Sequence, residues 1–99
     1  MTFQVEFRRE ALQDVEEIVD WYEDKLPGLG DEFFISLTEV VYILQKTPEI
    51  YNPQFREVRK AITRKFPYLV CFKIDKPDKV IIFGVLNMKR EPKNWKGRI

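Results

Sequence analysis

The sequence predicts an α+β fold of order βααβββ, with a helical hairpin packed on one face of a mainly antiparallel sheet. Three observations carry this. Apolar residues recur every three or four positions through two stretches separated by Pro27-Gly28-Leu29-Gly30. Short runs rich in aromatic and β-branched residues lie before and after those stretches. Asp75-Lys76-Pro77-Asp78, a turn composition, divides the last two runs into an antiparallel hairpin pairing 67–74 with 79–87.

Phe3, Val5 and Phe7 alternate with Gln4 and Glu6, the period of a half-buried strand over about residues 2–8. From Arg9 the period lengthens. Leu12, Val15, Ile18/Val19, Tyr22 and Leu26 form the apolar stripe of a helix over 9–26, and Glu16, Glu17, Asp20, Glu23 and Asp24 form a solvated acidic face. Pro27 and Gly28 end it. Asp31 is placed to cap a second helix over 31–47, whose stripe is Phe33/Phe34, Leu37, Val40/Val41 and Leu44 and whose stop is Thr47-Pro48. The short link makes the two helices antiparallel. A loop over 48–55 leads to strands over 57–62, 68–74 and 79–86, and the chain closes on a polar, basic tail over about 88–99 that contains Trp95.

At 99 residues the chain has room for a single domain, and its 44% hydrophobic content supports a folded core. No apolar run approaches the ~20 residues of a membrane span, and no signal-peptide core opens the chain; a cytoplasmic, non-membrane protein is expected. With no histidine, every mechanism that needs an imidazole is excluded. The lone Cys71 allows no internal disulfide or cysteine metal cage and reads as a small core hydrophobe. No metal or cofactor is expected. The net charge of +1 conceals a split: residues 1–55 carry four basic and twelve acidic groups, residues 56–99 thirteen basic and four acidic. Either the fold interleaves the two halves, or it keeps them apart and presents a basic surface to an anionic partner.

Ala11-Leu12-x-Asp14-Val15-x-x-Ile18, Trp21-Tyr22, Gly28-Leu29-Gly30-x-x-Phe33, Pro48, Arg59, Arg64-x-Phe66-Pro67-Tyr68 and Arg90-x-Pro92-x-x-Trp95 stand in this order along the chain. Together they resemble the RelE/ParE toxin superfamily of bacterial type II toxin-antitoxin systems, and the ParE-like branch more closely. The resemblance spans nearly the whole sequence and implies the fold already read from periodicity. It also implies a toxin of a plasmid-stabilisation system, neutralised by a cognate antitoxin and inhibiting DNA gyrase by binding. Two alternatives stay open: a RelE-like endoribonuclease acting on ribosome-bound mRNA, and a degenerate member that only binds antitoxin. Asn87 stands where many relatives have a histidine, and the tail offers Trp95 where ribonuclease relatives often use a tyrosine. Tryptophan cannot accept the proton of a 2′-hydroxyl, which inclines the reading away from an enzyme.

Arg59, Arg64 and Arg90, with Lys60, Lys65 and Lys89, form the leading target-binding constellation, because guanidinium groups grip phosphate or carboxylate bidentately. Taken singly the lysines read as solvated surface charge; Arg59 and Arg90 are read as functional on the resemblance. Tyr68, Asn87 and Trp95 complete the target-binding candidates. Tyr68 reads first as structural, its hydroxyl partnered locally beside a core Phe66. Trp21, Tyr42 and Ile43, off the main stripes, are the expected apolar anchors for the antitoxin.

Overall fold

The computed structural model describes residues 2–89. Its elements are β1 (Gln4–Phe7), α1 (Arg9–Lys25), α2 (Leu29–Lys46), a 3-10 turn (Pro48–Ile50), β2 (Arg59–Ile62), β3 (Tyr68–Asp75) and β4 (Lys79–Asn87). The order βααβββ is the expected one. The sheet runs β1-β4-β3-β2, with β1 parallel to β4 and the other neighbours antiparallel. A parallel pair needs a crossover connection, and the helical hairpin supplies it, which places both helices on one face.

That face holds the main core. Phe33, Leu37, Val40 and Leu44 of α2 and Ala11 and Ile18 of α1 bury against Ala61, Val70, Phe72, Val80, Ile82 and Val85 of the sheet. The stripes are narrower than periodicity predicts. Leu12, Leu26 and Phe34 are at least half exposed, and Ala11 takes the buried place in the first turn of α1. A small residue there lets α1 lie close to the sheet, so the larger neighbour turns outward.

The junction between the helices departs from expectation in a second way. The second helix begins at Leu29 rather than Asp31, and its N-cap is Gly28, in the left-handed region at φ 93° with no side-chain cap of its own. Glycine adopts that conformation without the strain a Cβ would add. The capping carboxylate comes from α1: Glu23 accepts the Gly28 N–H through Oε2 (2.9 Å) and the Gly30 N–H through Oε1 (3.0 Å). Two otherwise unpaired helix-start donors are thus satisfied from the neighbouring helix. Glu23 stays exposed, as its spacing predicts, but its carboxylate is engaged across the junction, and Asp31 is exposed as well.

Asp14 makes the matching tie at the other end of α1. Strand β1 stops at Phe7, opposite Ile82, so β4 runs on past its parallel neighbour. The Asp14 carboxylate accepts the Val85 N–H there (3.0 Å), doing for that amide what a strand would have done.

A bulge interrupts the β3–β4 ladder. Cys71 pairs with Gly84 and Phe72 with Ile82, leaving Phe83 as the extra residue. Val80 and Ile82 face the helices before it, and Val85 faces them after it. Phe83 and Leu86 join Val58, Leu69 and Cys71 in a second buried cluster. The far side of the sheet therefore carries an apolar cluster of its own, and Cys71 is a buried core residue as expected.

The charge split of the sequence becomes a split between layers. Residues 9–46, the helical hairpin, carry ten carboxylates and three basic groups; residues 47–89 carry nine basic groups and four carboxylates. The ion pair between Lys79 and Glu6 (3.5 Å) lies within the sheet layer and leaves this separation untouched.

Candidate functional site

One end of the sheet gathers most of the candidates. Three connections define it: Tyr68 opens β3 opposite Asn87 at the end of β4, the Met88 N–H donates to the Pro67 carbonyl (2.8 Å), and the Ser36 hydroxyl of α2 donates to the Arg64 carbonyl (2.6 Å). The β2–β3 turn, the end of β4 and the start of α2 therefore share one surface.

The turn itself is held from within. Buried Thr63 donates its hydroxyl to the Phe66 carbonyl (2.9 Å), its N–H reaches the Tyr68 carbonyl (3.1 Å), and the Tyr68 N–H closes on the Phe66 carbonyl (2.9 Å). Lys65 sits at φ 70°, a left-handed conformation unusual for a residue with a Cβ. With the backbone fixed, the exposed Arg64 and Lys65 side chains are offered from a rigid base, which lowers the ordering cost of binding an anion. They form one wall of a cleft whose other wall is Glu32, Ile35, Ser36 and Glu39 of α2. Across the end, Asn87 Oδ1 accepts the Lys89 N–H (2.8 Å) and fixes the start of the next turn.

Arg59 lies elsewhere. It pairs with Phe72 toward the opposite end of the sheet, and its guanidinium donates to the backbone carbonyls of Tyr51 and Glu49. It clamps the loop that follows α2. Arg90 and Trp95 lie outside the described residues.

Beneath the basic end is an aromatic box. The Phe33 ring lies 5.5 Å from Phe66 and 5.3 Å from Tyr68, both edge to face, and Tyr22 packs 5.0 Å from Phe66 and 6.1 Å from Tyr68. Phe66 is in the core and Tyr68 is buried, as its structural reading expects. Burial, then the neighbouring Tyr68 and the hydrogen bond shared with it, push the Tyr22 phenol up to about 12. The folded state favours the neutral phenol. Its contribution is whole below the ordinary value of 10.0 and is lost as pH climbs from there toward 12. Unfolding free energy measured across that range is expected to fall, and Tyr22→Phe is expected to remove part of the fall. An unchanged profile in the variant would show that Tyr22 carries none of it.

The three antitoxin candidates do not form one patch. Trp21 is exposed near the C-terminal end of α1, at the basic end of the sheet, edge to face with Tyr22 and capped by Lys25 Nζ at 4.7 Å from its ring. Tyr42 stands near the C-terminal end of α2, the opposite end of an antiparallel hairpin, with Lys46 Nζ 5.7 Å over its ring. Ile43 beside it is half-buried. Sequence reasoning missed Ser36, Thr63 and Glu23, whose roles depend on contacts between elements; only the glycines at 28 and 30 hinted that the helices meet closely there.

Among the described residues no group of three or more acidic, cysteine or histidine side chains is placed to hold a metal ion, and no helix is long and apolar enough to cross a membrane. A family model described as the ParE toxin of the type II toxin-antitoxin system parDE matches residues 5–92. No curated protein matches the chain. A solved chain of a chromosomal ParDE TA system from P. aeruginosa matches with a TM-score of 0.75 at 20% identity, covering 87% of this chain and 96% of that one. At that identity the likeness is one of fold.

Proposed function

The chain belongs to the ParE toxin family of type II toxin-antitoxin systems, and from that premise we propose that it arrests growth in the cytoplasm by binding DNA gyrase and is neutralised by a cognate antitoxin. The observation that carries the choice of target is the make-up of the basic end. Arg64, Lys65 and Lys89 supply positive charge, Asn87 supplies hydrogen bonds without titrating, and the nearby phenol of Tyr22 is held protonated up to about pH 12. Such a surface is suited to gripping carboxylates or phosphates and poorly suited to removing a proton from a ribose hydroxyl.

Purified protein tested for inhibition of gyrase supercoiling and for mRNA cleavage on programmed ribosomes is expected to stop supercoiling and leave mRNA intact. Ribosome-dependent cuts would overturn the choice of target. Arg64→Ala is expected to weaken inhibition by about tenfold, the scale of one charge-assisted contact, with thermal stability unchanged. Arg59→Ala is expected to do the reverse, lowering stability by about 1–2 kcal/mol as the loop loses its clamp, with inhibition by the folded fraction retained. If Arg59→Ala abolished inhibition in a fully folded protein, its role would be contact with the target.

A further inference from the structure

Two carboxylates stand opposite the two cations that the β2–β3 turn presents. Glu32, Ile35, Ser36 and Glu39 follow at helical spacing on one side of α2 and line the cleft across from Arg64 and Lys65. The cleft holds about 230 Å³, below the ~300 Å³ at which pockets for small molecules begin. It has room for a side chain. Ile35, 59% exposed, lies between the two carboxylates along the helix and gives the wall an apolar surface. The Ser36 hydroxyl holds the Arg64 carbonyl at 2.6 Å, ties the turn to the helix and so sets how far apart the walls stand. Among the described residues no ion pair closes across the cleft. Glu32 and Glu39 therefore leave the cations open to a partner and act on that partner through their field.

That field treats two kinds of anion differently. Seven helical residues separate Glu32 from Glu39, about 10 Å along the axis. A nucleic-acid strand carries a phosphate every ~3.4 Å of duplex axis, so a strand that reached Arg64 and Lys65 would draw further phosphates past one carboxylate or both. Each passage is a like-charge contact inside a narrow opening, where repulsion is screened less than in open water. A lone carboxylate at the tip of a protein side chain brings no such train of charge. It can meet the Arg64 guanidinium bidentately while its methylenes lie on Ile35, and a lysine or arginine beside it in the same segment would be attracted to Glu32 or Glu39.

We propose that Glu32 and Glu39 are specificity-determining residues of the basic end: they admit a carboxylate-bearing protein segment to Arg64 and Lys65 and turn nucleic acid away. The inference rests on the reading of this end as the surface that grips the target, and it narrows the anion gripped there from carboxylate or phosphate to carboxylate.

Short fluorescent RNA and DNA single strands titrated into the full-length protein at low salt test this by anisotropy. Glu32→Gln with Glu39→Gln is expected to tighten the binding of both strands by at least about tenfold, and Glu39→Gln alone by about threefold. Both side chains are exposed, so thermal stability is expected to stay unchanged. Glu16→Gln with Glu17→Gln alters the net charge equally on the exposed side of α1, outside the cleft, and is expected to shift binding by less than about twofold. Adding Arg64→Ala to the variant at Glu32 and Glu39 is expected to remove the gain, because the cation the carboxylates guard is then gone. An equal gain from the α1 pair, or no gain from the cleft pair, would overturn the proposal. Gyrase supercoiling is scored separately. Tighter oligonucleotide binding by the cleft variant, with no inhibition by the unaltered protein, would sink the gyrase reading and leave the filter standing; inhibition with no such gain would sink the filter alone.

Discussion

Replacing Phe33 by alanine is expected to lower the unfolding free energy by about 3–5 kcal/mol, the range for removing a fully buried aromatic ring. Phe33 has no exposed surface and stands between Phe66 and Tyr68 of the sheet layer and Tyr22 of α1, with ring centroids 5.3 to 6.0 Å away. Its loss opens a cavity that those rings can fill only by leaving their edge-to-face arrangement. Since domains of this size are stable by only about 5–15 kcal/mol, the midpoint of thermal unfolding is expected to fall by about 15 °C. The Tyr22 phenol should also titrate closer to its ordinary value of 10.0 as water reaches it. A stability loss below about 1 kcal/mol would show that the box is not the keystone its geometry describes.

Gly30→Ala is the second large effect, expected to cost about 2–3 kcal/mol. A Cβ at this position would lie 2.7 Å from the Val19 carbonyl oxygen and 2.9 Å from Glu23 Oε1. The first is helix backbone and cannot swing aside, so the helices must part. The second is the carboxylate that caps α2, so the cap moves as well. The gain in helix propensity from glycine to alanine, up to about 1 kcal/mol in a helix interior, offsets only part of this. Glu23→Ala alone removes the cap without the clash and is expected to cost about 1 kcal/mol. Because both changes act on one contact, the double variant should lose less than the two single losses added together. Strict additivity in chemical denaturation would mean that the cap and the close approach are independent.

These two sites also mark where sequence reading works and where it stops. Phe33 was legible, because it falls on the apolar stripe of the second helix. The fold order, the antiparallel helices and the β3–β4 hairpin follow from the same kind of local pattern. The cap on α2 was not legible: Asp31 has the right chemistry for a capping residue, but a carboxylate from α1 reaches the helix start first, and no local pattern records the position of another helix. Leu12 and Phe34 misled for a related reason, since a stripe drawn from apolar identity cannot tell a buried side chain from an exposed one. At the basic end, Arg64, Tyr68, Asn87 and Lys89 could be listed from the sequence; that they gather at one end of the sheet, and that Arg59 does not, depends on strand register.

The bulge at Phe83 has a consequence for what insertion or deletion does to this protein. Strand residues alternate between two faces, so an uninterrupted β4 that turned Val80 and Ile82 toward the helices would turn Gly84 and Leu86 there too, and would send Asn87 to the reverse side. The extra residue shifts the phase by one, so that Val85 completes the core and Asn87 arrives beside Tyr68. A deletion of one codon at Phe83 would leave Val80, Ile82, Val85 and Asn87 in unbroken alternation on the helix side, losing only the buried ring from the second cluster, whereas a deletion at Ile81 would turn Val80 to the opposite face from Ile82. Sequence variation in this strand should therefore tolerate a change in length at the bulge far better than one elsewhere along it.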